Sequence, residues 1–199
     1  TITPRMRGNP SFIDWIIATD PVFGAVGDGA TDVTANLQRA INATRTGGVL
    51  YIPRANQNSF YRITSSLVVN RSMHIKGDGW EMGAGTLNGS CIRQEGANAI
   101  CLDVNSGAGE IDGMIIEDIC LGGTAAAGSA LVLRGNASPY GVLRSRFKNI
   151  LIAGAGTGAA YFGFETRGLS VLNEFTNMRM SMGFTASMHG GYGNPPRGF

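Results

Sequence analysis

Lysine is almost missing from this chain: of 16 basic residues only Lys76 and Lys148 are lysine. Charge of either sign is sparse, at 15% of 199 residues, and a formal net charge of +2 is too small to argue for a nucleic-acid partner. Cysteine is equally thin. Cys91, Cys101 and Cys120 show no C-x-x-C spacing and no nearby histidine pair, which speaks against a zinc site, and their odd count speaks against a disulfide framework. No apolar run approaches the ~20 residues of a membrane-spanning helix, and no signal-peptide pattern is legible, so no membrane partner is expected. The N-x-S/T sequons at Asn42, Asn88 and Asn136 carry little meaning without a secretory signal. No cofactor is expected either: Gly24, Gly27 and Gly29 depart from G-x-G-x-x-G and no βαβ unit follows them. The Gly-rich stretch at 153–158 precedes a strand and reads as a turn, not a phosphate cradle.

What the chain has in quantity is glycine, 30 of 199 residues, which suits short strands and many turns. It also has a line written three times. MIIEDICL at 114–121, SRFKNILI at 145–152 and NEFTNMRM at 173–180 share a large apolar residue (Ile116, Phe147, Phe175), one variable position, then Asp118, Asn149 or Asn177. Apolar residues follow at alternate positions: Ile119 and Leu121, Ile150 and Ile152, Met178 and Met180. From Ile116 to Phe147 is 31 residues and on to Phe175 is 28. A period of this size marks a solenoid, and apolar spacing of two makes its units strands. A second line (ICLDV at 100–104, LVLRG at 131–135, FGFET at 162–166) lies upstream of each copy, 31 residues apart each time. Units of at least two short strands, stacked with no helix between, predict an all-β parallel β-helix rising ~4.8 Å per rung. Asp or Asn at the repeated position suits a tight bend with left-handed backbone angles, and the stacked side chains can hydrogen-bond from rung to rung.

Ahead of the repeats the order of elements changes. Residues 1–21 form an arm whose SFIDWIIA either packs on the first rung or docks on another chain. In 22–46 a strand runs through a Gly turn to a helix of about ten residues, with Thr34 as N-cap, Leu37, Ala40 and Ile41 on one face, and Gly47 and Gly48 closing it. FGAVGDGATDVT, LQRAINA, GGVLYIP and YRITSSLVV together resemble the N-terminal region of the pectate-lyase-like right-handed β-helix superfamily, found in bacteriophage tailspikes and bacterial polysaccharide-degrading enzymes. Val33 departs from that pattern, where the family usually has a second Asp. The resemblance spans about 22–95 and implies that the strand–GDG–helix unit caps the open end of the coil. The expected divisions are thus an arm (1–21), a cap (22–46), a right-handed parallel β-helix (47–183) and an irregular tail (184–199) with Pro195 and Pro196.

Alternation also sorts the charged side chains. His74 lies between Met73 and Ile75 and should point outward, and so should Asp103, Arg134 and Glu165, stacked on successive rungs with Arg134 between the carboxylates. Arg146 should stack with Glu174, and Glu117 with Lys148. Opposite charges at ~5 Å favour strand pairing by a few tenths of a kcal/mol each. Cleavage of a glycosidic bond instead needs two carboxylates about 5–10 Å apart across a sugar. The candidates for such chemistry are Asp103, Glu165, Glu174 and Arg146; a structural ladder is the competing reading of all four. Trp80, on the loop GDGWEMGAGTLNG, could stack on a sugar or close over the wall, and Arg144 and Arg179 could neutralise a uronate. No acidic cluster for a metal is visible. Leu151 and Ile115 are expected as outward apolar residues. Together with a tail lacking an amphipathic helix, they imply an uncovered end that needs a partner.

Three functions follow. The first is a virion-associated tailspike or tail component that binds, and possibly depolymerises, host-surface polysaccharide as a homotrimer beside other virion proteins. The second is a free, extracellular polysaccharide lyase or glycoside hydrolase of the same fold. The third is a purely structural assembly component without sugar binding.

Overall fold

The computed structural model describes residues 15–83, 86–124, 128–135, 141–154, 162–180 and 186–190. Strand β1 (Trp15–Ile17) and helix α1 (Thr34–Ala43) precede about five rungs of parallel β-helix. The first rung is β2 (Val49–Ile52), β3 (Tyr61–Ile63) and β4 (Leu67–Val69). The second is β5 (His74–Gly77), an antiparallel hairpin of β6 (Trp80–Gly83) and β7 (Thr86–Gly89), then β8 (Cys91–Gln94) and β9 (Leu102–Asn105). The third is β10 (Ile111–Asp112), β11 (Ile115–Gly123) and β12 (Leu131–Arg134). The fourth is β13 (Val142–Leu143), β14 (Arg146–Gly154) and β15 (Phe162–Arg167), and the fifth β16 (Ser170–Val171), β17 (Glu174–Met180) and β18 (Ala186–Gly190). Pairing between rungs builds three parallel walls: β1-β2-β5-β11-β14-β17 with β3 and β8 attached, β4-β9-β12-β15-β18, and the short β10-β13-β16.

The expected stack is present. Ile116, Phe147 and Phe175 are register partners, with Ile119, Ile150 and Met178 beside them. Ile116, Phe147, Ile119 and Ile150 are fully buried, and Phe175 and Met178 are partly buried on the fifth rung. The Phe147 and Phe175 rings stack at 4.9 Å with 13° between planes. The bend also behaves as its residues imply: Asp118, Asn149 and Asn177 take φ of 58°, 51° and 50°. Asn149 Nδ2 donates to Asp118 Oδ1 at 2.7 Å and Asn177 Nδ2 to Asn149 Oδ1 at 2.9 Å.

The upstream line pairs differently from its expected register. Leu131 opposes Leu102 and Phe164, so Val132 and not Arg134 sits between Asp103 and Glu165. A shift of two residues leaves every side chain on its own face, so alternation alone does not choose between the registers. A second correction concerns Leu151, which is only 2% exposed because Trp80 packs over it; Ile115 is half-buried.

At the first rung β1 lies parallel on β2, pairing Trp15 with Val49, and Trp15 meets Tyr51 edge-on at 5.8 Å. Residues 11–14 of the SFIDWIIA segment, and 184–185 and 191–199 of the expected irregular tail, lie outside the described residues, whereas 186–190 of that tail form strand β18. Helix α1 buries Leu37, Ala40 and Ile41 as its pattern predicts. It also satisfies the open edge of β4. Gln38 Nε2 donates to the Val68 carbonyl at 3.0 Å, and its Oε1 accepts the Val68 N–H at 2.9 Å. One side-chain amide thus does what another strand would do there. Thr34 is not the N-cap: Val33 holds that position, and Thr34 donates its N–H and hydroxyl to Asp32 Oδ1 at 3.0 and 2.6 Å. Nor does Gly47 close the helix. Thr44 does, and Gly47 takes the following turn with φ 75°.

Candidate functional site

The outer face of β5, β11, β14 and β17 carries two charged columns. Along one, Lys76, Glu117, Lys148 and Thr176 oppose one another from rung to rung, and along the other His74, Ile115, Arg146 and Glu174. Inward packing of Ile75, Ile116, Phe147 and Phe175 forces this arrangement, since neighbours of an inward residue must face out. Between the columns opens a cleft of about 190 Å³ lined by Glu117, Arg146, Lys148, Glu174 and Thr176.

The lower part of the face is a closed ion-pair network. Glu117 Oε1 accepts from Lys76 Nζ at 2.9 Å and faces His74 Nε2 at 3.0 Å, while Lys76 also reaches Asp118 at 3.2 Å. Lys76 is the main reason that Glu117 stays ionised below its ordinary range. Burial pulls the Asp118 carboxyl up, but hydrogen bonds from Asn149 and Lys76 outweigh it. Gly77 lies beneath: a Cβ there would stand 2.2 Å from the Asp118 carbonyl oxygen. The upper part is looser. Arg146 and Glu174 meet at 3.6 Å with 70% and 65% of their side chains exposed, and Lys148 has no salt-bridge partner among the described residues. The register of Arg146 with Glu174 and of Glu117 with Lys148 is the expected one, although Glu117 takes its counter-ions from the rung below.

The bend ladder separates this cleft from Trp80. The indole Nε1 donates to the Asn149 carbonyl at 2.8 Å, two rungs from the hairpin that carries it. One side of the indole covers Cys91, Cys120 and Leu151, and the Arg179 guanidinium sits 5.5 Å from the ring centroid. Trp80 and Arg179 are therefore brought together, but as a cover over the wall. A sugar stacking on that ring would have to displace Arg179. The other singled-out residues lie apart. Asp103 and Glu165, each 6% exposed, belong to the β9-β12-β15 wall, where Arg134 pairs with Asp103 at 3.2 Å and Arg167 grips Glu165 at 2.6 and 2.7 Å. Arg144 sits at the β13–β14 corner, bound through two nitrogens to Asp112.

The carboxyls of Asp28, Asp32, Asp112, Glu117 and Asp118 are all held below their ordinary range by their surroundings. A general acid of glycoside hydrolysis needs the opposite displacement. Among the described residues no three His, Cys, Asp or Glu side chains converge on one metal position. Sequence reasoning missed the His74–Lys76–Glu117–Asp118 network. The hairpin at 80–89 lengthens the second rung, so its strands fall out of the period that aligns the later ones.

Five rungs of parallel strands closed at one end by a helix define a β-helix. A family model described as rhamnogalacturonase A/epimerase, pectate lyase-like, matches residues 19–115. That match and the five-rung coil together support a pectate-lyase-like right-handed β-helix fold. No curated protein matches it. Fold and match point together to a polysaccharide-related function.

Proposed function

We propose that this chain is a virion-associated, tailspike-type β-helix that binds host-surface polysaccharide across the cleft on β11, β14 and β17. The observation that carries this reading is the cleft itself. It is open, crosses three rungs, and ends on Lys148, a cation without a salt-bridge partner among the described residues, beside an exposed and loosely held Arg146–Glu174 pair. At about 190 Å³ it falls below the ~300–1,000 Å³ of a whole small-molecule pocket. That suits one ring of a long chain lying along the wall better than an enclosed small ligand. The protein then works on phage tails or outside the cell, as a homotrimer beside other virion proteins. Titrating fluorescent capsular polysaccharides into wild-type protein and Lys148→Ala tests it. Binding weakened about tenfold in the variant is expected, the size of one lost charge-assisted contact; equal binding by both places the sugar elsewhere.

A second reading, a free lyase or glycoside hydrolase, is favoured by the enzyme names in the matching family description. Incubation with the bound polysaccharide separates the cases. Unsaturated, ultraviolet-absorbing products mean a lyase, new reducing ends without absorbance a hydrolase, and an unchanged polymer a binder.

A further inference from the structure

Two of the three thiols lie against each other. Cys91 opens β8 and Cys120 lies in β11, and these parallel strands make the two residues direct register partners. Neighbouring strands stand about 4.8 Å apart, inside the ~4.4–6.8 Å between Cα atoms that a disulfide spans. Both side chains are fully buried, packed with Leu151 and covered by Trp80 and Phe60, and the Cys91 thiol donates to the Asn88 carbonyl at 3.7 Å. All three cysteines are free here. Cys101 stands apart from the pair: it belongs to the main core, where its thiol donates to the Ile92 carbonyl at 3.6 Å.

We propose that Cys91 and Cys120 form a cross-rung disulfide when the protein meets an oxidising medium, while Cys101 stays a thiol. With oxidised glutathione as the oxidant, one protein thiol loses its proton to solvent. Its thiolate attacks a glutathione sulfur, forming a mixed disulfide and expelling one glutathione thiolate. The second protein thiol, deprotonated in turn, attacks that mixed disulfide, forms the Cys91–Cys120 bond and expels the other glutathione. Two protein thiols are oxidised and one glutathione disulfide is reduced to two thiols. The adjacent Cys91 thiol and burial push the Cys120 thiol well above its ordinary range, so the reaction waits on opening of the Trp80 cover. An odd cysteine count is no obstacle, because the fold itself selects the pair. The link would fasten the second rung to the third where the hairpin leaves the wall.

The test equilibrates native protein in an oxidising glutathione buffer, alkylates it in denaturant and maps its peptides by mass. The expected result is one linked peptide pair carrying Cys91 and Cys120, lighter by two hydrogens, with alkylation confined to Cys101. Cys101→Ser should keep the link and Cys91→Ser should abolish it. Trp80→Ala, with the cover removed, should oxidise several-fold faster. A link through Cys101, a persistent glutathione adduct, or full alkylation of wild type and Trp80→Ala alike would overturn the assignment.

Discussion

Phe147 has Ile116 one rung below, Phe175 stacked one rung above and Ile150 further along its own strand, all on backbone fixed by inter-strand hydrogen bonds. Neighbours held in this way relax little around a void, so Phe147→Ala should cost about 3–5 kcal/mol. The cost is read from a lower urea midpoint at unchanged slope. Among the charged side chains, Lys76 is one whose loss should change the pH response. Its hydrogen bond holds Glu117 below the ordinary 4.5, so Glu117 stabilises the fold above that pH and loses its contribution as pH falls through the lowered folded value. Lys76 itself is raised above its ordinary 10.5, chiefly by its bond to Glu117, and its contribution fades only as pH rises through that higher value. Lys76→Met should therefore flatten the acid limb of melting temperature against pH. Calorimetry across the acid range checks this, and parallel wild-type and variant curves would contradict it.

At the scale of elements, the two left-handed columns test one backbone rule from opposite sides. At the bend, Asp118, Asn149 and Asn177 are residue types that tolerate positive φ and bond one another. At the β10–β11, β13–β14 and β16–β17 corners, Gly113, Arg144 and Leu172 also take positive φ, 70°, 45° and 58°, with nothing chemically in common. The first column was legible in sequence and the second was not, for that reason. The long strands were legible because one bend residue anchors each alternation. The β9-β12-β15 wall lacks such an anchor, so its register was displaced by two. The cap was legible through Leu37, Ala40 and Ile41, but the clasp of Gln38 on β4 was not, because an exposed polar residue leaves no periodic signal. The charged face was half legible: Arg146, Glu174, Glu117 and Lys148 follow from alternation, whereas the pairing of Lys76 with Glu117 and Asp118 required knowing that a hairpin interrupts the second rung. Asn149→Ala should cost about 2–4 kcal/mol, from two lost ladder bonds and left-handed strain. Asn149→Gly should be milder by about 1 kcal/mol, since only the bonds are lost; chemical denaturation of both variants decides it. Leu172 is 76% exposed at φ 58°, so Leu172→Asn should stabilise the folded chain by about 1 kcal/mol. A lower denaturation midpoint in that variant would mean that Leu172 has a contact to lose.

For the whole molecule, the helix closes one end of a stack whose walls repeat from rung to rung, and Trp15, Ile17 and Leu172 leave apolar surface exposed on the two end rungs. The proposed homotrimer should sediment at three times the 20.9 kDa of one chain at micromolar concentration, and a single species of 20.9 kDa would exclude it. The hairpin of the second rung has a wider consequence. Residues 77–90 stand where 118 and 119 stand one rung later, yet Lys76 still meets Glu117 and Cys91 still meets Cys120. The walls keep their spacing whatever length of chain is spliced in at that corner, and lengthening a loop adds little entropic cost. A different loop can therefore be carried there without rebuilding the core, and new surface enters the fold by insertion, not by remodelling its strands.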